Sequence, residues 1–174
     1  LLNSTITATI PQPASKIEKN HILNHQFPNH FMAFWRIYYH LVWATKERLP
    51  LITPDRETEL YNYIIHKSDN LNCIIHAIGG IEDHIHLIAS IPPSLSIAEF
   101  VKNIKGSSAH LLNKNYRLSE NYLNSIPFCW QRGYGVLSLG AKQLEQAVCY
   151  AKNQKNHHSQ GTAMTSLEKY DDEE

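Results

Sequence analysis

Long apolar runs are missing from this 174-residue chain. No stretch approaches the roughly 18 consecutive apolar residues of a membrane-spanning helix, so a membrane role is not expected. Cysteine is scarce: Cys73, Cys129 and Cys149 are widely spaced and odd in number. That pattern argues against a disulfide framework and against a paired-cysteine zinc site, and it fits reduced thiols in a cytoplasm. Net charge is absent too, with 16 Lys and Arg against 16 Asp and Glu, so the simplest argument for a polyanionic partner fails. The first twenty residues lack a basic leader followed by an apolar stretch, so no signal peptide is expected there. Internal repeats and low-complexity blocks are also lacking, which excludes repeat architectures.

What is present suits one folded domain. The chain is 43% apolar and 18% charged, enough for a real core and too apolar for wholesale disorder. The charges are unevenly distributed. Between residues 100 and 158, eight Lys and Arg face only Glu120 and Glu145, while "DDEE" at the end supplies much of the opposing charge. The last third of the domain therefore offers either a basic surface or ordinary solvated helix faces.

Residues 1–31 are polar and proline-containing without a clear period. They are expected to be an appendage, poorly ordered, with the compact domain running over 32–158 and a polar acidic tail over 159–174. From Phe34 to Ala44, "FWRIYYHLVWA" is rich in aromatic and β-branched residues, as strands are. Thr53 and Pro54 mark a helix start before "DRETELYNYIIHKSDN", where Leu60, Tyr61, Ile64 and Ile65 have helical spacing. Two strands follow, "NCIIHAIGG" and "DHIHLIASI", with their hairpin expected at Gly79–Gly80–Ile81–Glu82. Ser96 and Glu99 form a capping-box pattern for a helix reaching about Asn115. "FCWQRGYGVLSL" reads as a further strand and "AKQLEQAVCYAKNQKNHH" as a final helix.

The order β-α-β-β-α-β is the plan of a ferredoxin-like fold: α+β, a split βαβ, with a four-stranded antiparallel sheet and helices. An additional C-terminal helix carries Tyr150. The first and third strands are central in that topology, so the segment "EDHIHLIAS" lies mid-sheet. Strand alternation puts His84 and His86 on one face and Ile85 and Leu87 on the other. Two buried imidazoles side by side are costly unless their nitrogens are bound. On the last helix Tyr150 and Gln154 are four apart and share a face. Two imidazoles and an amide oxygen make a ligand set for Mg²⁺ or Mn²⁺ with positions left for phosphate oxygens. A tyrosine one turn from such a site is a candidate nucleophile. Each feature alone also has an ordinary reading as packing or chance; their conjunction carries the inference.

The segments "YHLVWATKERLPLI", "GGIEDHIHLIASIPPSLSIAEFVKNIKGSSAHLLN", "WQRGYGVLSLG" and "YAKNQKNHH" together resemble the single-tyrosine HUH transposases of small bacterial insertion sequences and their REP-associated tyrosine transposase relatives. The resemblance spans about Met32 to His158. It implies a Mg²⁺- or Mn²⁺-dependent nuclease and strand transferase on single-stranded DNA, acting through a 5′-phosphotyrosine and leaving a free 3′-hydroxyl. It makes His84, His86 and Gln154 metal ligands and Tyr150 the nucleophile. It also implies DNA hairpins as partners and a homodimer, with active sites that can be shared between subunits. The extension before Met32 and the short acidic tail depart from the pattern and leave a domesticated or inactive hairpin binder as the alternative. Phosphate contacts are assigned to Lys46, Arg48, Lys102, Lys105, Ser107, Ser108, Arg132, Lys152 and Lys155, with plain solvent exposure as the other reading. Asp83 is read as either an orienting partner of a ligand histidine or a turn residue. His40 and His76 are read as packed core histidines. A metal-binding hydrolase unrelated to DNA is disfavoured, since no acidic or histidine ligand closely follows "HIHLIAS".

Overall fold

The computed structural model describes residues 34–116 and 126–169; the expectation for residues 1–31 lies outside them. The first strand, β1 (Tyr38–Ala44), leads through a one-turn 3₁₀ segment at Lys46–Arg48 to helix α1 (Pro54–Asp69). Strands β2 (Ile74–Ile81) and β3 (His84–Ser90) follow, then α2 (Ile97–Asn115) and β4 (Gly135–Leu139). The chain ends in α3 (Leu144–Lys152), α4 (Gln154–Ser159) and a last 3₁₀ turn at Thr165–Leu167. All pairings are antiparallel, in the order β2-β3-β1-β4. The expected ferredoxin-like sheet is therefore present, with β1 and β3 at its centre.

Alternation along the two central strands divides the molecule into two layers of side chains. Leu41 and Trp43 from β1, with Ile85, Leu87 and Ala89 from β3, enter the main core against Leu60 and Ile64 of α1 and Phe100, Val101 and Ile104 of α2. At about 1.5–3 kcal/mol per fully buried large apolar side chain, this layer dominates stability. The opposite face carries a smaller apolar cluster of Ala77 and Ile88 beneath Ala151 of α3, bordered by Leu144, Ala147 and Val148. His84 and His86 share that second face, and all seven residues of β3 are buried. α2 starts as its capping pattern requires: the Ser96 hydroxyl accepts from the Glu99 N–H at 3.1 Å.

Three details differ from the sequence reading. The hairpin turns at Glu82–Asp83, because β2 continues through Gly79 and Gly80 to Ile81. Gly79 is needed for helix approach and not for the turn: a Cβ there would overlap the carbonyl oxygen of Ala151 on α3. The last strand is shorter than the expected "FCWQRGYGVLSL". Trp130 makes only an isolated bridge to Thr45, and regular pairing begins at Gly135. Lys105 caps the intervening loop by donating to the carbonyls of Arg132 (3.2 Å) and Gly133 (2.8 Å). Finally, the expected continuous helix breaks at Asn153, whose side-chain amide donates to the Cys149 carbonyl at 2.9 Å. Such local side-chain bonding competes with the helix ladder.

Candidate active site

The second face of the sheet holds a cluster of titratable groups between β3, β1, α3 and the segment that follows α4. His84 and His86 are 1% and 0% exposed. Their Nε2 atoms lie 3.0 and 3.2 Å from one oxygen, Oε2 of Glu168. Tyr150, from α3, donates its phenolic hydrogen to the other oxygen of that carboxylate at 2.7 Å. The Tyr150 oxygen also accepts from the backbone N–H of Met164 at 2.9 Å. A single carboxylate thus joins the histidine pair to the tyrosine within one chain.

Neighbouring groups fix the far side of each imidazole. Asp83 Oδ1 lies 2.6 Å from His84 Nδ1, and Arg48 Nε donates to Asp83 Oδ2 at 2.8 Å. Arg48 reaches this position from a strained turn in which both Glu47 and Arg48 have positive φ. On His86, Nδ1 meets His40 Nε2 at 2.7 Å. His40 is buried and belongs to this cluster instead of the main core. His157 stacks on Tyr150, with ring centroids 4.8 Å apart, and the His158 ring lies 4.9 Å from that of His84.

The electrostatics follow from this wiring. Burial alone would lower the His84 pKa, but hydrogen bonding to Asp83 and the Glu168 carboxylate outweighs it and raises the value. Burial dominates at His86 and lowers its pKa. Burial works to raise the Glu168 pKa, yet contacts with both histidines hold it far below the usual carboxylate range. Burial pushes the Tyr150 phenol up, opposed by the Met164 N–H and the Gln154 side chain. Two carboxylates beside two imidazoles make a pocket suited to positive charge.

The donor set fits a divalent cation. His84, His86 and Glu168 present three ligand atoms within 4.8 Å of one another. The buried Gln154 Oε1 has no hydrogen-bond partner, so its lone pairs await one. Two imidazole nitrogens and a carboxylate oxygen are a donor set that divalent cations accept.

The assigned residues are thus brought together unequally. His84, His86 and Tyr150 meet around Glu168, and Gln154 lies beside Tyr150, donating to the tyrosine's own carbonyl at 3.2 Å. Asp83 contacts a histidine as one of its two readings required. Ser108, assigned to phosphate, is instead fully buried and accepts from the Trp130 indole at 3.0 Å. Ser107 bonds the Asn103 carbonyl at 2.6 Å. Arg48 and Lys105 are engaged as described, and Lys155 pairs with Glu57 at 2.6 Å. Lys46, Lys102, Arg132 and Lys152 are exposed. Glu168 escaped the sequence reading because it sat within an acidic tail, and His40, read as a packed core histidine, is buried but against His86. The segment over 159–169 packs onto the domain, and Lys169 carries its carbonyl onto Gly135.

The site is thus a buried His-hydrophobic-His strand of a ferredoxin-like sheet beneath a helix that carries a tyrosine. Residues 33–154 match the family model for IS200-like transposases, and the chain belongs to that family. It is 27% identical over 132 residues to the transposase of insertion sequence IS200 from Salmonella typhimurium, covering 75% of this chain and 85% of that one. Identity to the ISDra2 transposase TnpA of Deinococcus radiodurans is 27% over 123 residues, covering 69% and 85%. Two solved structures share the fold. One, from Deinococcus radiodurans and crystallised as a candidate transposase, aligns with a TM-score of 0.54 at 19% identity, over 80% of this chain and all of that one. The other is a REP-associated tyrosine transposase bound to a REP hairpin, with a TM-score of 0.53 at 14% identity over 78% and 76%. Among the described residues, no helix is long and apolar enough to cross a membrane.

Proposed function

We propose that this transposase cleaves and rejoins single-stranded DNA through a covalent bond between Tyr150 and a 5′-phosphate. The observation that carries the proposal is the shared carboxylate: Glu168 holds the Tyr150 hydroxyl at 2.7 Å and both His84 and His86 within 3.2 Å. Nucleophile and ligand pair are therefore in register in one chain, which supports catalysis in cis, while a homodimer remains part of the family expectation.

In this reading the Tyr150 oxygen attacks the phosphorus, the new O–P bond forms, and the P–O3′ bond breaks to leave a 3′-hydroxyl after protonation. The hydroxyl proton is already directed at Glu168 Oε1, and the Met164 N–H favours the developing phenolate. His84 and His86 would hold Mg²⁺ or Mn²⁺, with Glu168 and the unpartnered Gln154 amide oxygen as oxygen ligands. When bound, the cation supplies Lewis-acid polarisation of the phosphate. Exposed Lys46, Lys102, Arg132 and Lys152 are among the cations that would track a DNA backbone. A hairpin is the expected substrate feature, as bound by the REP-associated relative.

The test incubates the protein with Mg²⁺ and labelled single strands from the flanks of its own gene, then denatures the mixture. A covalent protein–DNA adduct is expected, absent in Tyr150→Phe. An adduct that persists in that variant moves the nucleophile elsewhere. Hairpin binding by the wild type with no adduct favours the non-cleaving alternative.

A further inference from the structure

His40 is among the most buried polar residues of the second sheet face, at 2% exposure, and no part of the cleavage reaction requires it. It stands on β1 opposite Ile88, while Val42 stands opposite His86. His40 and His86 are thus diagonal neighbours on one face of the central strand pair, close enough for long side chains to meet. Their rings lie 5.0 Å apart, with His40 Nε2 at 2.7 Å from His86 Nδ1.

The two histidines of the pair are oriented by different chemistry. His84 Nδ1 lies 2.6 Å from the Asp83 carboxylate, which can only accept, and 3.2 Å from Arg48 Nη2. The shorter contact to the carboxylate favours the Nδ1–H form, which leaves the Nε2 lone pair when the ring is neutral. His86 has no carboxylate at Nδ1. Its Nε2 hydrogen-bonds Glu168 in the present arrangement, so there Nε2 carries the proton and Nδ1 accepts from His40. Holding a cation at Nε2 demands the opposite tautomer, with the proton on Nδ1. An imidazole partner can supply either half of this bond because its own tautomer can invert; a carboxylate or an apolar side chain cannot.

We propose that His40 is the positioning residue for His86, accepting the His86 Nδ1–H and so presenting the Nε2 lone pair to a divalent cation. The proposal rests on the cation-binding reading of His84 and His86 given above. Residues that orient a ligand imidazole in this way typically change metal affinity about 10- to 100-fold when removed. His40 would also hold the ring plane of His86 beneath Tyr150, whose centroid lies 5.7 Å from that of His86.

The test measures Mn²⁺ affinity without DNA, by the loss of the free-ion electron paramagnetic resonance signal, in the full chain. Wild type, His40→Phe and His40→Gln are compared, with folding checked by circular dichroism. Phenylalanine keeps the volume and removes the partner; the glutamine amide can restore it near the same place. The expected result is about 10- to 100-fold weaker binding in His40→Phe and recovery towards wild type in His40→Gln. Wild-type affinity in a folded His40→Phe overturns the proposal, as does equal loss in both folded variants. Should His40→Phe fail to fold, nitrogen-15 NMR of Mg²⁺-saturated wild type decides, with His86 expected as the Nδ1–H tautomer and the Nε2–H form overturning it. A wild type that binds no Mn²⁺ overturns the cation reading and this inference with it, whereas binding indifferent to position 40 overturns only the latter.

Discussion

Replacing Gly79 with alanine tests whether close seating of α3 on the sheet sets the position of Tyr150. Gly79 pairs with His86 across the β2–β3 ladder. A Cβ at Gly79 would overlap the Ala151 carbonyl oxygen and stand 3.0 Å from its carbon and 3.4 Å from Lys152 Cα. All three obstacles are backbone atoms, so no side-chain rotation relieves them and α3 must withdraw by about 1 Å. Tyr150 precedes Ala151 and travels with it, whereas His84 and His86 stay with β3. A displacement of that size in a reacting group costs about 100-fold in rate, on top of roughly 1–3 kcal/mol of folding stability for overpacking. Single-turnover accumulation of the covalent adduct on a denaturing gel is the assay, with Mn²⁺ binding measured in parallel. The adduct should form about 100-fold more slowly while Mn²⁺ binding persists. A folded Gly79→Ala protein that forms adduct at the wild-type rate would refute the reasoning.

Other substitutions separate the remaining parts. Glu168→Gln keeps the shape and removes one charge; losing a charged contact of about 1.5–3 kcal/mol should weaken Mn²⁺ binding roughly 10- to 100-fold. Affinity that rises instead would mean the carboxylate competes with the cation. Burial lowers the His40 pKa to about 4 from an ordinary 6.5. The unfolded chain therefore takes up that proton first on acidification. Its contribution to stability is full above pH 6.5 and declines towards pH 4, by at most ~1.4 kcal/mol per pH unit. Subtracting the denaturation profile of His40→Gln in chelator should reveal that slope; parallel profiles would contradict it. Ser96→Ala removes the α2 cap and should cost about 1 kcal/mol, lowering the melting temperature by about 2–4 °C without altering adduct formation.

The fold was readable because its signals were local and mutually consistent. Aromatic and β-branched density marked β1, the Ser96–Glu99 pair marked the start of α2, and element order then selected the topology. The histidine pair followed from alternation on a central strand. What escaped depended on contacts between distant segments. Gly79 and Gly80 resembled a turn because nothing local announces a helix pressing on a strand. Ser108 resembled a phosphate ligand because its burial against Trp130 is decided by tertiary packing. Asn153 lay inside a regular helical period, yet the helix breaks there, where its side chain bonds back to Cys149 and its N–H reaches the Tyr150 carbonyl. Glu168 was the least legible, being one acid among several in a segment without periodicity.

The seating of Glu168 gives Gly135 a significance disproportionate to its size. A side chain there would overlap the Lys169 carbonyl and lie 2.8 Å from Val42 Cγ1, dislodging the residue that follows Glu168. A copy of this gene with one drifted codon at position 135 would retain its histidines, tyrosine and glutamine and pass any inspection of motifs. Its carboxylate would nevertheless be adrift. Judging whether such a copy still moves DNA therefore means reading the edge strand as well as the signature residues.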